Sequence, residues 1–196
     1  SISGTQTAGT SRVAIFAAQP SITSASSGNI NLTGSATQTI SNNGRWGSIT
    51  LANNSVLTLS GTTMIRIDGN LTVQDNAILA LGPDADITMY VAGNVTLSGD
   101  ALVGSSAAAP RLRIYMNGSS QDVSISSRAK MSAYMLNPFG RLVIAPIGNT
   151  PDSFSGRFAG DGVLTADKTD IHLDVADDSG GSGLSSIRVL SWMQTR

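Results

Sequence analysis

Apolar and polar residues alternate over most of the chain, and in one stretch the alternation is written three times. Residues 47–57, 69–79 and 93–103 read "GSITLANNSVL", "GNLTVQDNAIL" and "GNVTLSGDALV" and align without a gap. In each phrase one side carries Ile49 and Leu51, Leu71 and Val73, or Val95 and Leu97, and the other carries Thr50, Thr72 or Thr96. A period of two is the pattern of a half-buried strand. Turn formers follow ("ANN", "QDN", "SGD"), of types suited to positive φ. A small residue comes next (Ser55, Ala77, Ala101), and a second apolar alternation begins. Each phrase therefore predicts strand, corner, strand.

Fainter copies start at Gly28 ("GNINLTGSAT"), Gln121 ("QDVSISSRAKM") and Gly140 ("GRLVIAPIG", matching at its start). The starts at 28, 47, 69, 93, 121 and 140 are spaced by 19, 22, 24, 28 and 19 residues. Alternation rules out helical repeats, and a propeller blade needs about 40 residues. Two or three short strands per turn fit a parallel β-helix, in which each coil buries its apolar face only with a copy above and below. The predicted fold is all-β: a single right-handed parallel β-helix of about six to seven coils. It spans 1–178 with an N-terminal cap that includes "SRVAIFAA" (11–18). A Gly/Ser linker (179–183) and a C-terminal capping strand (184–196) follow. "SAYMLNPFGRL" (132–142) reads as a coil corner turning at Asn137-Pro138, and 145–162 as an insertion loop.

Composition narrows the function. The net charge is -1, the charged fraction 13%, and the Lys and Arg are scattered, so the clustered basic surface of a nucleic-acid binder is missing. All 13 acids are Asp, with no Glu, which disfavours long helices. There is no Cys, hence no disulfide framework or thiolate metal site. No apolar run approaches the roughly 18 residues of a membrane span. The absence of Cys and the start at Ser1 rather than Met fit an exported chain whose leader or anchor has been removed.

Several passages together carry a resemblance. They are "AIFAAQPSITSASSGNINLTGSAT", "GSITLANNSVLTLSGTTMIRIDGNLTVQDNA", "ITMYVAGNVTLSGDA", "RLRIYMNGSSQDVSISSRAKMSAYMLNPFGRLVI" and "GDGVLTADKTDIHLDVAD" leading to "IRVLSW". In this order they resemble the β-helical domain of PilX-type type IV pilus assembly proteins and related exported bacterial surface proteins. That family ends in an Ile-His-aromatic-Asp segment, a Gly-rich linker and an Arg-Val-x-Ser-Trp strand. This chain has Ile171-His172-Leu173-Asp174, "SGGSG" and Arg188-Val189-Leu190-Ser191-Trp192, with Leu173 in the aromatic's place. The resemblance implies an exported, cell-surface protein of minor-pilin or adhesin type. Its partners would be pilus subunits or a second copy, and it implies no catalytic activity.

Candidate chemistry is sparse. His172, the one histidine, shares a strand side with Asp174, but no Gly-x-Ser-x-Gly elbow accompanies it and one His makes no multi-His metal site. A structural hydrogen bond is its expected role. Asp167, Asp170 and Asp174 belong to an Asp-rich stretch that could supply oxygen ligands to calcium. With Arg157 or Lys168 as base, such a site would serve a polysaccharide lyase. Asp in turns more often satisfies its own backbone, and we expect no cofactor and no enzyme.

The outward strand positions form an almost charge-free strip containing Asn70, Asn94 and the column Thr50, Thr72, Thr96. A subunit or a surface glycan could dock there. An ice lattice is a weaker fit, because only one Thr column is regular. Trp46 is the best candidate for an exposed sugar-stacking ring, ahead of Tyr115, Tyr134 and Phe139.

Overall fold

The computed structural model describes residues 22, 24–104, 111–145, 153–165 and 170–173. They form a parallel β-solenoid without helices. The first turn is β1 (Ile30–Leu32), β2 (Thr37–Ile40) and β3 (Gly44–Trp46). The second is β4 (Ile49–Leu51), β5 (Val56–Leu59) and β6 (Thr62–Ile67), and the third β7 (Leu71–Val73), β8 (Ile78–Leu81) and β9 (Asp86–Val91). The fourth is β10 (Val95–Leu97), β11 (Leu102–Val103) and β12 (Leu112–Met116). Then come β13 (Val123–Ser126), two long strands, β14 (Lys130–Ala145) and β15 (Ser153–Thr165), and β16 (Asp170–Leu173). The solenoid makes about five turns, slightly fewer than the six to seven coils expected. No helix among the described residues is long and apolar enough to cross a membrane.

Three faces result, each a ladder of parallel strands. On the first face Ile30, Ile49, Leu71, Val95, Val123 and Leu142 lie in register, each two residues after one of the six sequence starts. The second face stacks β2, β5, β8, β11, the start of β14, the start of β15 and β16. The third stacks β3, β6, β9, β12 and the middle parts of β14 and β15. Alternation sends every second side chain into one aliphatic column, in which Ile49, Leu51, Leu71, Val73, Val95 and Leu97 are fully buried. Each such side chain contributes about 1.5–3 kcal/mol on burial.

The corner between first and second faces explains the turn formers. Paired positive-φ residues stand there in successive turns: Gly34 and Ser35, Asn53 and Asn54, Asp75 and Asn76, Gly99 and Asp100, Ser127 and Arg128. After the last four pairs the next small residue points into the core, where Ser55, Ala77, Ala101 and Ala129 are buried, whereas Ala36 in the first turn is half-buried.

Two expectations about the C-terminal turns are refined. The corner expected in 132–142 is there, since β14 passes from the third face to the first, but no separate turn breaks the chain at Asn137-Pro138: β14 runs through it, and the bend is taken up as a register shift against β15 between Asn137 and Arg141. A bulge of this kind bends a strand without ending it. Buried Asn137 holds the bend, its Nδ2 donating to the Gln121 carbonyl at 2.7 Å. Nor is 145–162 wholly an insertion loop, since Ser153–Gly160 forms the next rung on β14. The N-terminal cap at 11–18, the linker at 179–183 and the capping strand at 184–196 lie outside the described residues.

Candidate functional site

On the first face, the residue before each inward apolar position makes a ladder. Asn29 Oδ1 accepts from the Ser48 amide (2.9 Å) and Ser48 Oγ from the Asn70 amide (3.2 Å). Asn70 Oδ1 then accepts from Asn94 (2.9 Å), Asn94 Oδ1 from Asp122 (3.3 Å), and Asp122 Oδ1 from Arg141 (2.9 Å). Asn70 and Asn94, nominated as contact residues, thus spend their carbonyl oxygens holding turns together. Gly47, Gly69 and Gly93, each just before a ladder residue, have a matching cause. A Cβ on Gly47 or Gly93 would run into Asn29 Oδ1 or Asn70 Oδ1, and one on Gly69 into Ser48 Oγ.

The outward column of this face reads Asn31, Thr50, Thr72, Thr96 and Ser124 in register. Neighbouring rows of parallel strands lie about 4.8 Å apart. The next two positions are Val143 and Leu164, so the polar strip ends in an apolar tail. Trp46 lies elsewhere. Its ring packs against the core and folds over Gly44, where a Cβ would come within 2.8 Å of Cζ3.

Of the acidic residues suggested for calcium, Asp170 is on β16 in register with Ser153, and Asp167 and Asp174 lie outside the described residues. Among the described residues no group of three or more His or acidic side chains gathers around a point that could hold a metal ion. His172 stands opposite Ser155 on β15.

The third face brings together Tyr115, Tyr134 and Arg157, which the sequence named separately, with Tyr90 and Arg113, which it did not single out. Its outward positions form two columns: Arg66, Tyr90, Tyr115, Leu136 and Ala159, and beside it Met64, Thr88, Arg113, Tyr134 and Arg157. The Tyr90 and Tyr115 rings stack with centroids 5.3 Å apart and planes at 21°. The Arg157 guanidinium lies 4.8 Å from the Tyr134 ring centre. Arg113 pairs with Asp86. At the N-terminal turns Arg45 and Arg66 both reach Asp68, at 2.7 and 2.9 Å. The columns frame an open depression of about 220 Å³.

Electrostatics follow these pairs. Partial burial works against the Asp68 charge, yet the hydrogen bonds from Arg45 and Arg66 prevail and hold its carboxyl below the usual range. Hydrogen bonds from Arg128 lower Asp100 at a corner, and those from Arg141 lower Asp122 at the end of the ladder. Burial, helped by Tyr115, raises the Tyr90 hydroxyl against the opposing charge of Arg113.

A signal for this face was present. Arg66 and Tyr90 stand three residues before the glycines that open phrases (Gly69, Gly93), and Tyr115 stands three before Gly118, itself three residues short of the phrase start at Gln121.

With its fold and faces in view, the chain can be placed: it belongs to the family described as a domain of unknown function, DUF7305, whose model matches residues 19–178. No curated protein and no solved structure matches it.

Proposed function

We propose that this member of a family without an assigned activity is a non-enzymatic, exported interaction module of the bacterial cell surface, associated with pili or similar machinery. The ladder from Asn29 to Arg141 carries this reading, because it locks successive turns at one edge. Beside it, the Thr50–Thr72–Thr96 column forms an even, uncharged strip. Such a strip has little to offer as a reacting group. It offers repeated hydroxyls at regular spacing to a neighbouring subunit, at a desolvation cost lower than that of charged side chains. The resemblance to PilX-type pilus assembly proteins supplies the setting, with pilus subunits or a second copy as partners.

The test is immunogold electron microscopy of producing cells and of sheared surface filaments, with antibody to this chain. Label on filaments or at their tips is expected. Cells free of label, with the protein in the medium, would overturn the proposal.

A further inference from the structure

We infer that the third face carries a binding site for an acidic sugar unit, in the depression bounded by Arg113, Tyr115, Tyr134 and Arg157. This is independent of the polar strip, which lies on another face.

The depression has a simple origin. In the outward column the two stacked tyrosines are followed by Leu136 and then Ala159, so the wall built by Tyr90 and Tyr115 ends and the floor drops. The parallel column does not drop, because Tyr134 and Arg157 stand at the same levels. The space of about 220 Å³ lies below the roughly 300–1,000 Å³ of pockets that take drug-sized ligands. It suits one ring-sized unit.

The lining selects the chemistry of that unit. Leu136, Ala159 and Phe158 supply apolar surface for the C–H face of a ring, and the two tyrosines add rings that combine an apolar body with a hydroxyl. The charge at the site is cationic. Arg113 is held by Asp86, and the Arg157 guanidinium lies over the Tyr134 ring; both line the depression. A guanidinium edge matches a carboxylate with two parallel N–H···O bonds. A carboxylate on a sugar ring meets the Arg157 guanidinium while the ring rests on the apolar floor. A neutral sugar brings no charge to the two arginines, and a cation is repelled by them.

The experiment uses the full chain, with calorimetric titration of glucuronate, glucose and acetate at low salt. Saturable binding of glucuronate is expected, at least tenfold tighter than glucose or acetate and weaker at high salt. Arg157→Gln should weaken it at least tenfold at an unchanged melting temperature, and Thr72→Ala on the first face should leave it alone. In the unaltered protein, methyl resonances of Leu136 should shift on adding glucuronate, a readout that does not depend on a variant folding. No binding of glucuronate, equal binding of glucose or acetate, a folded Arg157→Gln that still binds, or unmoved Leu136 methyls would each overturn the assignment.

Discussion

Replacing Gly93 by Ala sets two effects against each other. The φ of Gly93 lies outside the left-handed region, so the exchange should stabilise by about 0.4–1 kcal/mol through the unfolded chain alone. Packing says the opposite. The new Cβ would lie 2.5 Å from the Gly69 carbonyl oxygen and 2.7 Å from its carbon, both backbone atoms of the turn below. It would also run into Asn70 Oδ1, which accepts the Asn94 amide in the ladder. Overpacking of this kind costs about 1–3 kcal/mol, and a displaced hydrogen bond about 0.5–1.5 kcal/mol more. After the entropic gain, a net loss of about 0.5–4 kcal/mol remains. For a chain of this size each kcal/mol moves the melting temperature by about 2–4 °C. Thermal unfolding followed by far-ultraviolet circular dichroism reads the change. Gly162→Ala is the control, because a Cβ there meets nothing closer than Arg141 Cγ at 4.0 Å. It should melt at or slightly above the temperature of the unaltered protein. If Gly93→Ala melts no lower than that control, close stacking of the glycine column is not what the repeated phrase encodes.

Acid should weaken the fold. Asp68, Asp100 and Asp122 have carboxyls held below the ordinary 3.8 in the folded state, so their contribution is complete above that value and is lost as pH falls through the lower folded values. Urea midpoints should therefore hold between pH 7 and 5 and drop at pH 3, and a flat profile would exclude these pairs as contributors. Asp122→Asn keeps an acceptor for the Arg141 amide while removing the charge, so it should flatten part of that drop and leave the ladder in place. At the inner corner Ala77→Leu should cost about 1–3 kcal/mol by overpacking, read as a lower urea midpoint. Ser55→Ala at the equivalent corner should cost only about 0.5–1.5 kcal/mol, since its amide neighbour Ala52 also donates to Leu32. Equal losses for the two variants would contradict the corner's tight packing.

The sequence by itself determined the solenoid. Alternation is a property of a few consecutive residues, and copies of a phrase can stack only in phase, so the starts at 28, 47, 69, 93, 121 and 140 predicted the first face's register row by row. The paired turn formers were equally legible, because a positive φ is a local demand. The third face was harder to read. Its strands begin after connections of unequal length, so an alignment carried forward from each glycine loses phase before reaching Tyr90 or Tyr115.

Only the tertiary structure decided which side chains meet across turns. Tyr90 and Tyr115 stack although 25 positions separate them, and Arg157 reaches Tyr134 from the next rung. Trp46 illustrates the limit from the other side: its chemistry suits a sugar platform, but its place in the register turns it toward the core. The bend at Asn137 depends on a carbonyl at Gln121 that local propensity cannot see. Winding brings distant residues into contact through the number of residues in each turn, and one residue more or less sends a side chain to the opposite face.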